Sequence, residues 1–134
     1  MSVNLKEVTQ AVADLYFKGC EGERPYDLWR SFDKNLAQTF SVFVAGQLYS
    51  RERIPHATRQ FAAVAALTVL ERREELRMHI HAAINVGCAP EQIAEVMFQM
   101  IPYGGFPVVN TGLKVLRDVL KERGLWPMSC ENVP

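Results

Sequence analysis

The chain has 134 residues, and 15 lysines and arginines balance 15 aspartates and glutamates. That length fits one domain around one core, and a neutral chain in which no stretch collects five basic residues lacks the footprint of a nucleic-acid binder. The longest apolar run, Phe61 to Leu70, is about half of what a membrane span needs. Lys6 and Glu7 open a mixed amphipathic segment rather than a secretion signal, so a cytoplasmic protein is expected.

From Val3 to Lys18 apolar residues recur at Leu5, Val8, Val12 and Leu15-Tyr16, which is helical spacing. Gly19-Cys20-Glu21-Gly22 breaks that pattern and Pro25 keeps the break open. Asp27 to Phe32 is read as a short helix or turn. Asp33 is placed to cap a helix running to about Tyr49 on Leu36, Phe40, Phe43, Val44 and Leu48.

Arg51 to Pro55 is a connection, with Pro55 suited to a first helical position. The helix from there to about Leu70 is apolar almost all round, which predicts a central helix enclosed by others. The next runs from about Arg73 to Val86 with Leu76, Ile80, Ala83 and Ile84 as its buried stripe. On that wheel His79 borders the core, whereas His81 falls outside the stripe and is expected to face solvent or a subunit contact. Gly87 suits the left-handed position that ends a helix.

Pro90 starts a helix on Ile93, Val96, Met97 and Met100-Ile101, and Pro102 interrupts it. Gly104-Gly105 permits tight backbone geometry, and Pro107 fits the first turn of a last helix that Gly124 ends. Trp126-Pro127 is expected to dock back on the body, and the tail from Met128 to be loose. No strand-like alternation appears, so the fold class is all-α, with about six or seven helices in one domain.

Cys20, Cys88 and Cys130 are odd in number and far apart, without a Cys-x-x-Cys pair. Three free thiols are expected, and neither a redox dithiol nor a zinc ribbon. His79 and His81 stand about 200° apart on a helix and cannot share an ion, so no metal site is read here. Gly104-Gly105 is not followed by a phosphate-loop pattern.

The ordered set Thr58-Arg59, Glu75-Leu76 with His79, Gly87, Glu91 with Ile93, and Tyr103, Gly105 and Pro107 resembles the carboxymuconolactone decarboxylase family. The resemblance is strong from Arg59 to about Gly124; the first fifty residues share only helical character. It implies an alkylhydroperoxidase D-like helical bundle and no cofactor. In the peroxidase-type members of that superfamily a Cys-x-x-Cys precedes the histidine. Aligning that histidine with His79 puts Arg72 and Glu75 at the cysteine positions and Gln60 at that of a proton-relay glutamate. Neither Arg72 nor Glu75 supplies a thiolate, so peroxidase chemistry is not expected.

The family reaction removes carbon dioxide from γ-carboxymuconolactone, whose own unsaturation and carbonyl accept the electrons. The protein then has to bind carboxylates, stabilise an enolate and deliver a proton. His79 is the candidate proton donor or enolate anchor; alternatively it is a core-edge histidine satisfied by a carbonyl or by Glu75. Glu75 is read as the residue that orients His79, or as an exposed helix charge. Tyr103 is read as an oxyanion donor, or as a structural tyrosine in a turn. Arg59 is read as a clamp on a substrate carboxylate, or as an ion-pair partner of Glu74 or Glu75.

The implied ligand is a small carboxylate or lactone, bound by a cofactor-free lyase or by a non-catalytic or differently catalytic relative. Trp29, Phe32, Phe40 and Phe43 lie on segments that one small bundle does not fully cover. With the resemblance they imply a homo-oligomer, a hexamer or otherwise a trimer.

Overall fold

The computed structural model describes residues 4–128. Every regular element among them is helical: α1 (Leu5–Phe17), α2 (Pro25–Phe32), α3 (Lys34–Ser41), a π-helical segment (Val42–Tyr49), α4 (His56–Val69), α5 (Arg73–Asn85), α6 (Pro90–Phe98), α7 (Ile101–Gly104) and α8 (Phe106–Glu122). No described helix is long and apolar enough to cross a membrane. Cys130 and most of the tail lie outside the described residues.

The helix ends follow from local chemistry. The Asn4 side chain accepts from the backbone N–H groups of Lys6 and Glu7, and Asp33 Oδ1 accepts from Leu36 N–H at 2.9 Å, each satisfying donors that a first helical turn leaves free. Pro25 does not prolong the break before it but occupies the first position of α2. Its fixed φ suits a helix there and its missing N–H costs nothing. Pro55 sits one residue further out than expected, as the cap of α4. Gly87 adopts φ +99°; its N–H donates to Ile84 O at 3.1 Å and that of Cys88 to Ala83 O at 2.9 Å. This pair of bonds closes α5 and requires the left-handed residue that glycine supplies.

The segment expected as one helix from Asp33 to Tyr49 keeps its bounds but changes its winding, with α3 passing into the π-helix at Val42. Gly46 on that stretch is buried, and a Cβ there would stand 2.2 Å from Thr9 Oγ1. The glycine thus lets α1 lie directly on the π segment. α1 packs on that segment and on α5, and α4 packs on α5, α6 and α8.

The main core joins Val64, Leu76, Ile80, Ile93, Met97, Leu116 and Leu120, while a smaller cluster holds Val12, Tyr16 and Ala82. Each fully buried leucine or isoleucine contributes about 1.5–3 kcal/mol. α4 is packed by three helices as expected of a central element, yet Thr58, Ala62, Ala66 and Leu70 form an exposed stripe at four-residue spacing. Its apolar circumference is therefore not wholly covered within one chain.

α2 buries no residue and packs chiefly on α3. Trp29 stacks on Phe40 with centroids 5.3 Å apart and planes at 15°. Phe32 is 87% exposed, and Leu36 and Phe43 are also exposed. The two helices form an arm with an uncovered apolar face.

Candidate functional site

α5 carries both of its histidines inward, on different sides. Leu76, Ile80 and Ala83 form its buried stripe as the spacing required. His81 does not face solvent: it is 3% exposed. Its Nδ1 accepts from Arg123 Nη1 at 3.3 Å, so Nε2 carries the hydrogen donated to Glu122 Oε2 at 3.2 Å. Arg77 reaches the same carboxylate at 2.8 Å, and Arg123 Nη2 donates to Asn85 Oδ1 at 3.0 Å. α8 therefore covers a position that a wheel drawn for α5 alone leaves outside. Burial lowers the His81 pKa, against the opposing effect of Glu122.

His79 lies on the α1–α4 side and is half-buried. Its Nδ1 donates to Gln60 Oε1 at 2.9 Å, which leaves Nε2 as the nitrogen available to a ligand. The Phe17 ring meets the imidazole edge-on at 6.1 Å. Burial lowers the His79 pKa, and the nearby Glu75 charge opposes it. The imidazole of His79 is thus neutral at neutral pH.

Gln60 is fully buried, and among the described residues its Nε2 has no well-aligned hydrogen-bond partner. A buried donor left unpaired costs about 1–3 kcal/mol. Next to it, the hydroxyl of fully buried Tyr16 hydrogen-bonds His56 Nδ1. The Tyr16 ring lies 5.1 Å from both the His56 and the Tyr49 rings, edge-on to each. Burial pushes the Tyr16 phenol up, while Gln60 and the Arg59 charge favour its ionised form. Burial likewise pushes Tyr49 up against the pull of Arg59.

The four residues singled out from the sequence are only partly brought together. Arg59 is beside this cluster. It makes neither expected ion pair with Glu74 or Glu75, since the described salt bridges are those of Arg77 and His81 with Glu122. Instead Arg59 Nη2 donates to Arg51 O at 2.8 Å, and its buried Nε has no partner among the described residues. Glu75 is exposed one turn before His79 and acts on it through charge, while the hydrogen bond that orients the ring comes from Gln60.

Tyr103 is 69% exposed on α7. A Cβ on the adjacent Gly104 would lie 3.6 Å from Val69 Cγ2. Val69 ends α4, about 13 Å along the axis from Gln60 at 1.5 Å per residue. One chain therefore does not set Tyr103 beside the His79–Gln60 pair.

Tyr16, Phe17, Tyr49 and His56 escaped the reading of the sequence, and Gln60 entered it only as the residue at the place of a proton-relay glutamate. The signal for Gln60 was its spacing: Gln60, Val64 and Thr68 fall on one buried stripe of α4, and a polar residue on such a stripe has to find partners. No comparable signal marked Tyr16, because its partner lies forty residues away in the chain.

Among the described residues no three His, Cys, Asp or Glu side chains gather as metal ligands. Cys20 and Cys88 are free thiols. Cys88 is buried against Ala57 O, and burial pushes its thiol up, the opposite of what a reactive thiolate needs.

Residues 35–118 match the model of the carboxymuconolactone decarboxylase family. The chain is 31% identical over 96 residues to a protein from Acinetobacter baylyi named 4-carboxymuconolactone decarboxylase, covering 72% of each sequence. The chain belongs to the carboxymuconolactone decarboxylase family. A second relative, an uncharacterized 15.0 kDa protein from Paracoccus denitrificans, is 33% identical over 79 residues, covering 58% of this chain and 59% of that one. The family match takes in His56, Arg59, Gln60, Glu75, His79 and Tyr103, while α1, with Tyr16 and Phe17, precedes it. This family member therefore completes the surroundings of His79 with residues from outside the matched region.

Proposed function

We propose that the chain is a cofactor-free carboxy-lyase of the 4-carboxymuconolactone decarboxylase type, acting on a small carboxylated lactone or a related acid. The observation that carries this reading is a half-buried, neutral His79 beside the unpartnered donors of Arg59 and Gln60. Arg59 clamps a substrate carboxylate. The charge of the bound acid, with that of Glu75, raises the proton affinity of His79, which takes up a proton from solvent.

The bond to the departing carboxylate then breaks and carbon dioxide leaves. The electron pair passes into the conjugated lactone carbonyl as an enolate. The imidazolium returns its proton to carbon, a step worth about 10² to 10⁴ in rate. Tyr103, exposed on its own chain, takes part only where a neighbouring subunit closes over it. The uncovered faces of the α2–α3 arm and of α4 fit contacts within a homo-oligomer, a hexamer or otherwise a trimer.

The test is turnover of 4-carboxymuconolactone by protein dialysed against a chelator, followed by carbon dioxide release. Decarboxylation without added cofactor is expected. Tight binding without turnover would favour a non-catalytic acid-binding member, and neither binding nor turnover would overturn the reading. Sedimentation equilibrium is expected to give a species of three or six chains, and a stable monomer at micromolar concentration would remove the assembly.

A further inference from the structure

The interior between α1, the π segment and the start of α4 is rich in donors and short of acceptors. Gln60 Nε2 and Arg59 Nε are buried, and among the described residues neither has a well-aligned partner. Both side chains lie near enough to Tyr16 to act on its phenol. No carboxylate is among the groups that act on Tyr16 or Tyr49. The hydroxyl of Tyr16 meets His56 Nδ1, and the Gln60 side chain is a second hydrogen-bonding neighbour of the phenol. A donor set of this kind, with a cationic guanidinium and no carboxylate among the groups named for the two tyrosines, calls for an anionic oxygen from outside the chain.

We propose that Tyr16 and Gln60 are substrate-contacting residues, and that Tyr16 O–H, Gln60 Nε2 and Arg59 Nε together receive an oxyanion of the bound acid, a carboxylate or enolate oxygen, next to His79. This rests on the reading of the chain as a small-acid enzyme and adds two residues to it, one from a helix that precedes the family match.

The geometry explains how one phenol serves both partners. An imidazole carries its hydrogen on either nitrogen. With the hydrogen on Nε2, His56 accepts from Tyr16. With the hydrogen on Nδ1, His56 donates to the phenol oxygen, and the phenol hydrogen turns to the ligand. No net charge moves. His56 is half-buried, so solvent can exchange its hydrogens.

Gln60 has a double place in the set. Its Oε1 fixes His79 Nδ1–H, and its Nε2 lies on the other branch of the same amide, so one side chain holds His79 and the anion in register. At the end of α1 the consecutive residues Tyr16 and Phe17 touch one histidine each, His56 and His79. α1 thereby ties the two halves of the site together.

The test uses full-length protein labelled with ¹³C at the tyrosine Cζ carbon, the Tyr16 signal being assigned by its loss in Tyr16→Phe. The protein is titrated with 4-carboxymuconolactone and with two inert probes, saturated γ-butyrolactone-γ-carboxylate and succinate. The expected result is a saturable movement of the Tyr16 signal. Tyr16→Phe should bind the inert lactone acid at least tenfold more weakly. Gln60→Glu keeps the acceptor for His79 but sets a negative charge in place of the amide donor, and it should weaken binding at least a hundredfold while the thermal transition persists. Tyr26→Phe, on α2, should match the parent.

Turnover of the lactone with an unmoved Tyr16 signal and parent-like kcat/KM in Tyr16→Phe would overturn this inference and leave the lyase reading standing. Absence of turnover, with succinate or the inert lactone acid moving Tyr16 and Gln60→Glu abolishing the movement, would keep the inference and remove the lyase reading. No movement with any of the three acids would overturn it.

Discussion

His79 and His81 are two residues apart on one helix, and the two polar regions around them are built to different specifications. Around His81 each nitrogen has a partner: Glu122 and Arg123 hold the ring, and Arg77 and Asn85 hold those partners in turn. Around His79 one nitrogen is bonded to Gln60, and two neighbouring donors lack well-aligned partners among the described residues. A satisfied buried network rigidifies a fold, whereas unsatisfied buried donors are a cost that a ligand can relieve. On this contrast the His81 region holds α5 and α8 together, and the His79 region is the one proposed for chemistry.

The sharpest way to break this comparison is to remove each ring in turn. His79→Ala is expected to lower turnover of the lactone by about two to four decades, with its circular dichroism spectrum and unfolding midpoint near those of the parent. His81→Ala is expected to do the reverse: a loss of about 1–3 kcal/mol in urea unfolding, from a cavity and from stranded Arg123 and Glu122 partners, with turnover within a few-fold of the parent. Equal kinetic losses in both variants would show that the two regions are one functional unit.

The pH dependence separates the regions further. Both histidines have folded pKa values lowered by burial below the ordinary value near 6.5. Each therefore contributes stability that is present above about pH 6.5 and is lost as pH falls through its folded value. Thermal melts from pH 8 to pH 5 should show falling stability, and His81→Ala should flatten part of that fall. In kinetics, kcat/KM reports the free enzyme and is expected to fall as pH rises through the lowered pKa of His79. The kcat profile, which reports the bound state, should fall at higher pH because the anionic substrate raises that pKa. Coincident profiles would exclude proton uptake on binding.

The smallest effect is expected at the rim of the structural region. Arg77 and Glu122 are about one-third and two-fifths exposed, and exposed ion pairs are worth about 1 kcal/mol or less. Arg77→Met should shift stability by no more than that and leave kinetics unchanged. A larger loss would mean that the His81 network depends on Arg77 to place Glu122.

The four-residue spacings, the cap at Asp33, the helix start at Pro90 and the stop at Gly87 were enough to lay out an all-α chain, because helix ends and amphipathic faces are set by neighbours in sequence. The family resemblance, carried by Arg59, Glu75, His79, Tyr103 and their flanking glycines, was legible for the same reason: it is an ordered set of local motifs. His79 as a core-edge residue was legible too, since a helical wheel places it beside the Leu76 stripe.

Tertiary structure alone decided the rest. A wheel describes one helix and carries no information on what covers its other side, so α8 buries His81 where the α5 pattern left it outside. Gln60 took the orienting role expected of Glu75 because α4 and α5 lie side by side and only the buried face of α4 reaches the imidazole. Tyr103 lies at the wrong end of α4 for its own chain, a distance along an axis that no motif states. Tyr16 meets His56 across forty residues of chain, through α1 lying on a π-helical segment whose Gly46 makes room for it. Such contacts depend on how whole helices pack, and side-chain order along one helix does not encode them.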